Sequence, residues 1–156
     1  MSGENPELAQ KLPVLVNEGL QRLNSQQHVD GGWGWWKDGD SDPFMTAYVF
    51  WGLVLARDAQ VEVRPEVISR ASSWLQRQLV VAENQYDLQA WILHALSVSN
   101  HLRPKPAPSP MESAAFRNLW ENRDQLNAYT RALFALAAHH FGRADEAMVL
   151  IRNLEK

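Results

Sequence analysis

The 156-residue chain contains no cysteine, which excludes disulfides, thiolate catalysis and cysteine-ligated zinc. Zero cysteines suit either side of a membrane, so the redox compartment stays open. There is no surplus of positive charge: Lys+Arg is 15 against Asp+Glu 18, a net charge of −3, unlike a nucleic-acid binder. No apolar run approaches the roughly 20 residues that span a bilayer. The start, Met1-Ser2-Gly3-Glu4-Asn5-Pro6, lacks the basic segment and apolar run of a signal peptide. The end, Asn153-Leu154-Glu155-Lys156, follows a helical pattern with no stop signal, so the expectation is a piece of a longer protein.

Motifs for catalysis are also missing. There is no His-Glu-x-x-His and no Gly-x-Ser-x-Gly elbow. None of His28, His94, His101, His139 and His140 stands four residues from another on one helix face. His139 and His140 are adjacent and point to different faces. No phosphate-cradling glycine loop follows a strand, because no stretch alternates like one. Asp38, Asp40 and Asp42 match the first ligand positions of a calcium loop. The pattern then fails, with Pro43 in place of the turn glycine and Val49 in place of the bidentate glutamate. The sequence calls for no cofactor and no metal.

The richest run is Gln27-His28-Val29-Asp30-Gly31-Gly32-Trp33-Gly34-Trp35-Trp36. Its glycines oppose a helix, each costing about 1 kcal/mol against alanine. Its tryptophans oppose a plain surface loop, since each can bury about 150–250 Å². A tight glycine turn that folds its aromatics back against a neighbouring element satisfies both. Gly31 and Gly32 allow positive φ, and Asp30 can accept hydrogen bonds from the amides of the turn.

Around this turn the chain reads as helices. Leu12 to Gln27 is the first, with Pro13 in its first turn and Leu8 extending it backward. After a polar loop, Asp42 is an N-cap and Pro43 a first helical residue. The helix from Pro43 to Ala59 is apolar nearly all round, including Tyr48, and belongs at the centre. Further helices are expected from Arg64 to Leu79, Glu83 to Asn100, Met111 to Glu121, Leu126 to Phe141, capped by Gly142, and Arg143 to Glu155. His101 to Pro110 is a proline-rich, rigid, exposed connector.

The apolar helices ending in Leu55, Leu96 and Leu136 recur with a period of about forty residues, and each is followed by a more amphipathic one. Thr46-Ala47-Tyr48 and Asn127-Ala128-Tyr129 stand at matching points of the first and third. The fold class is therefore all-α, stacked helical hairpins with an apolar inner layer and an amphipathic outer layer. The periodicity alone does not separate an open superhelix from a ring.

The run from Gln27 to Gly34, followed by Asp42-Pro43-Phe44-Met45-Thr46-Ala47-Tyr48-Val49, resembles the thioester-containing domain of bacterial alpha-2-macroglobulins. The likeness continues through Leu126-Asn127-Ala128-Tyr129 and Leu133-Phe134-Ala135-Leu136-Ala137 to Gly142-Arg143. The Asp-Gly-Gly-Trp core by itself is also similar to the glutamine–tryptophan repeats of triterpene cyclases. The first resemblance implies an α/α toroid of which this chain supplies about half. It also implies a non-catalytic scaffold role in a broad-specificity endopeptidase inhibitor of the periplasm or cell envelope. The partners it implies are other domains of the parent macroglobulin and, through them, target proteases. The family's Cys-Leu-Glu-Gln thioester motif has no counterpart, because the chain has no cysteine. Two alternatives remain: half of a terpene-cyclase-like or prenyltransferase-like toroid, and a free-standing helical-repeat binding module. A cyclase would need an Asp-x-Asp-Asp acid, which Asp38-Gly39-Asp40-Ser41-Asp42 does not match. Half a ring would expose an apolar edge and self-associate.

Overall fold

A computed structural model describes residues 6–103, 107–152 and 154. Within them the chain is all-α, with α1 Pro6–Gln26, α2 Pro43–Asp58, α3 Pro65–Val81, α4 Tyr86–His101, α5 Pro110–Glu121, α6 Ala128–His140 and α7 Ala144–Arg152. A 3-10 turn, Arg123–Gln125, precedes α6, and no strand occurs among the described residues.

Side-chain caps set the starts of α2, α5 and α6. The Asp42 side chain accepts from the Met45 amide, with Pro43 as the first residue of α2. Ser109 and Glu112 form a reciprocal capping box at the head of α5, with Pro110 inside it. Asn127 caps α6 by accepting from the Thr130 amide, so the helix begins at Ala128, two residues later than expected. Gly142, at φ +73, takes the left-handed position that ends α6. Pro13 departs from expectation. It lies inside α1 rather than in its first turn, because the helix already runs from Pro6. Pro104 and Pro106 of the connector, and Glu155 at the expected end of the last helix, lie outside the described residues.

The helices pack in two layers. α4 touches α2, α3, α5 and α6, and is buried on nearly every side from Gln89 to Asn100. Asp87, at the start of α4, accepts from the Asn127 amide and the Thr130 hydroxyl at the start of α6. His101 and His140 stack at the far ends of the same two helices, so α4 and α6 run parallel. α2, α4 and α6 form the inner row, while α3 and α5 pack beside each other on its outside and α7 lies against α6. The repeat is real, but its phase differs from that suggested by the terminal leucines. Leu96 is 2% exposed, whereas Leu55 and Leu136 are 42% and 47% exposed. The positions that share deep burial are Thr46, Gln89 and Thr130, then Phe50, Leu93 and Phe134, then Leu53, Leu96 and Ala137. A leucine near a helix end looks the same in sequence whether it faces a neighbour or solvent. Only the packed face discriminates.

α2 is also less central than its composition implies. Thr46, Ala47, Phe50, Leu53 and Val54 are buried, but Phe44, Tyr48 and Leu55 stand exposed on its other side. α1 has no buried residue. Leu20 and Leu23 pack partly against the core, and Leu8, Leu12, Leu15 and Val16 face solvent.

Candidate functional site: the glycine–tryptophan turn

The segment from Gln27 to Asp42 is fastened on three sides. Against α3, the Gln27 side-chain amide donates to the carbonyls of Gly31 (3.0 Å) and Val67 (2.9 Å). Arg70 donates to the carbonyls of His28 (2.7 Å) and Val29 (3.0 Å). Against α1, the Trp33 indole N–H donates to the Leu23 carbonyl at 2.8 Å. Against α2, the single hydroxyl of Thr46 accepts from the Trp33 amide (2.9 Å) and donates to the Trp33 carbonyl (3.0 Å). The Asp42 amide also donates to that carbonyl at 2.8 Å, which ties the turn directly to the cap of α2.

Asp30 is the hub. Its Oδ1 accepts from the Gly32 amide (2.9 Å) and the Ser41 hydroxyl (2.7 Å), and its Oδ2 accepts from the Trp74 indole at 2.9 Å. Burial works to raise its pKa. The bonds from Gly32, Ser41 and Trp74, with His28 close by, outweigh that effect and hold the carboxyl below its ordinary value. His28 Nδ1 lies 2.9 Å from Ser41 Oγ, so His28, Ser41 and Asp30 form a chain. It is not a nucleophilic arrangement, because the serine proton is directed at the carboxylate rather than at the imidazole.

Gly31 sits at φ +102, and a Cβ there would lie 2.6 Å from the Arg70 carbonyl oxygen. The backbone of the turn is thus pressed directly onto α3.

Of the three tryptophans, only Trp33 folds back, at 3% exposure. Trp35 and Trp36 are 71% and 80% exposed, contrary to the expectation that the turn folds its aromatics back against a neighbouring element. At Gly34 the chain presses against the Asp40 backbone and then loops out through Trp35–Gly39 before returning at Asp42. The two indoles ride on that excursion and stand exposed. Tyr48 does not join the turn; its ring lies edge-on to Trp51. The partners that sequence reasoning missed are Thr46, Ser41, Arg70 and Trp74. Each is polar or carries a polar tip near or inside an apolar stretch, but none is marked by spacing.

A second surface feature lies at the far end of the array. Between α6 and α7 an apolar groove of about 430 Å³ is lined by Ala132, Leu136, His139, Ala147, Met148 and Ile151, among others.

An inner row of parallel helices, an outer row and a pinned glycine–tryptophan turn together define a helical-hairpin array of the α/α-toroid type. The family profile of the A-macroglobulin TED domain matches residues 3–80, and the chain belongs to that family. The alpha-2-macroglobulin of Thermotoga maritima is 41% identical over 68 residues, covering 44% of this chain and 4% of that protein. Among solved structures, native Escherichia coli alpha-2-macroglobulin from domain MG7 to the C-terminus superposes over 93% of this chain and 24% of its own. That superposition has a TM-score of 0.77 at 24% identity. The native conformation of the same bacterium's protein by cryo-EM gives 0.79, again at 24% identity, covering 93% of this chain and 9% of that one. At that identity the structures establish shared fold. The chain spans only a small share of each relative's length.

Proposed function

We propose that this chain is a non-catalytic scaffold part, about half, of the thioester-domain toroid in a bacterial protease-trapping macroglobulin. In that reading the parent is a broad-specificity endopeptidase inhibitor of the periplasm or cell envelope. Its other domains are the chain's direct partners, and target proteases its indirect ones. No helix of the described residues is long and apolar enough to cross a membrane.

The observation that carries the reading is the split among the tryptophans. Trp33 locks the turn, while Trp35 and Trp36 are held out on a loop whose base is hydrogen-bonded to α2. Two large apolar rings offered on an anchored loop can cover a reactive group or a neighbouring domain without further ordering. Shielding a thioester from water in the uncleaved parent is such a task. The α6/α7 groove supports the other half of the reading, since it is where the next hairpin of a ring would seat.

The test is to replace Trp36 by alanine in the parent protein and measure protease trapping and spontaneous thioester hydrolysis beside thermal stability. Faster hydrolysis at unchanged stability is expected. Unchanged hydrolysis would end the shielding role. The 156-residue chain by itself is expected to self-associate through its apolar edge, and a chain extended by the next hairpin to be monomeric, as read by light scattering.

A further inference from the structure

Four of the five histidines, His94 and His101 of α4 and the adjacent His139 and His140 of α6, meet at one end of the α4/α6 pair. His140 stacks on His101 (ring centroids 5.0 Å, interplanar angle 30°) and on His94 (6.1 Å, 27°). His139 lies 6.4 Å from His101 and 6.0 Å from His140. The stack continues through Trp91 at 6.0 Å from His94 and Phe44 at 5.5 Å from Trp91, so the inner side of the cluster is aromatic. Among the described residues no group of three or more His, Asp or Glu side chains is placed to hold a metal ion, these imidazoles included.

The surroundings offer little to compensate charge. From α2 the neighbour of His94 is Trp51, with Arg57 and Asp58 at that helix's end. From α4 the Ser97 hydroxyl lies 2.9 Å from His140 Nδ1. The α3 face buried in the core is Val67, Ile68, Ala71, Trp74, Leu75 and Leu79, and its arginines Arg70 and Arg77 reach instead for the turn. Glu112 of α5 is engaged by the Ser109 amide, with Arg117 on the same helix. Glu146 of α7 pairs with Arg143, and Ala144, Ala147, Met148 and Ile151 stand beside His139. Arg103 follows α4. The charges that act on His140 are those of His101, His94 and His139. Burial alone holds His94 at about 4, and burial first, then those three neighbours, hold His140 at about 4.

At the opposite end of the pair, Asp87 clamps the starts of α4 and α6 through Asn127 and Thr130. The two helices are thus joined by a hydrogen-bonded clamp at one end and an imidazole stack at the other. We propose that the stack is an acid-sensitive latch. While the four rings are neutral it closes the ends of α4 and α6. When more than one ring carries a proton, mutual repulsion opens that end about the Asp87 clamp and loosens the α6–α7 hairpin from the rest of the array. The groove beside His139 changes shape with it.

The device is independent of the protease-trap reading, because it uses only contacts within this chain. Amide hydrogen exchange followed by mass spectrometry, from about pH 7.5 to about pH 4.5 and corrected for intrinsic rates, tests it. The expected result is an acceleration of about tenfold or more in α6 and α7 relative to α2 and α3. In the double variant His101→Gln/His139→Gln, whose sites are both exposed, the onset should move to lower pH. His140→Gln should move it further. If His140→Gln fails to fold at neutral pH, the surface double variant decides. Acceleration spread evenly over all helices, or an unchanged onset in the double variant, would overturn the latch.

Discussion

The indole N–H of Trp74, deep on α3, donates to the carboxylate of Asp30 across 44 residues of chain at 2.9 Å. The indole is almost wholly buried, so its N–H has no ready substitute partner. Asp30→Asn retains an acceptor for Gly32 but can present an amide donor to the indole. Loss of about 1–3 kcal/mol is expected from the unpaired N–H, measured by urea denaturation at pH 7.

Acid should act in two windows. His94 and His140 are held at about 4 in the folded chain against an ordinary value of 6.5. The unfolded chain therefore takes up protons first, and stability that is fully present above pH 6.5 falls as pH drops toward 4. Asp30 has a lowered pKa, so its contribution is present above the ordinary 3.8 and is lost only as pH falls through its folded value. Denaturant midpoints against pH should show the first fall unchanged in Asp30→Asn and the second reduced. A single fall confined to below pH 4 would contradict the histidine assignment.

Two glycines should respond in opposite directions to alanine. Gly31 combines φ +102 with a Cβ path blocked by the Arg70 carbonyl, so Gly31→Ala should cost about 1–3 kcal/mol. Gly52 lies inside α2 with nothing within 4 Å of its Cβ position, so Gly52→Ala should add about 0.5–1 kcal/mol. Thermal unfolding of the two variants side by side checks both signs.

The tryptophans should separate just as clearly. Trp33→Ala removes a buried ring and the partner of the Leu23 carbonyl, and should cost about 3–5 kcal/mol. Trp36→Ala, at 80% exposure, should leave the stability of the chain within about 0.5 kcal/mol. Equal losses in chemical denaturation would mean that Trp36 contributes to the core.

Loss of the Ser109 hydroxyl tests a local element. Ser109→Ala breaks the capping box at the head of α5 and should cost about 1 kcal/mol, with exchange rising first in the amides of that helix turn.

Helix identity, the caps at Asp42 and Gly142 and the two-helix repeat were legible in the sequence because each is set by neighbours within a turn or by a periodicity that survives any packing. Asp30 and Gly31 were likewise marked by turn chemistry. The fate of Trp35 and Trp36 was not, since an indole is compatible with core and surface alike, and what decides is the path the loop takes once it is pinned at both ends. The phase of the repeat depended on which face each inner helix turned to its neighbours. The histidine stack was invisible for the same reason: Ser97 and His140 are 43 residues apart, and spacing rules describe one helix, not the parallel packing of two. Hydrogen bonds within a turn are encoded in the order of residues, whereas contacts between helices exist only after burial has chosen their faces.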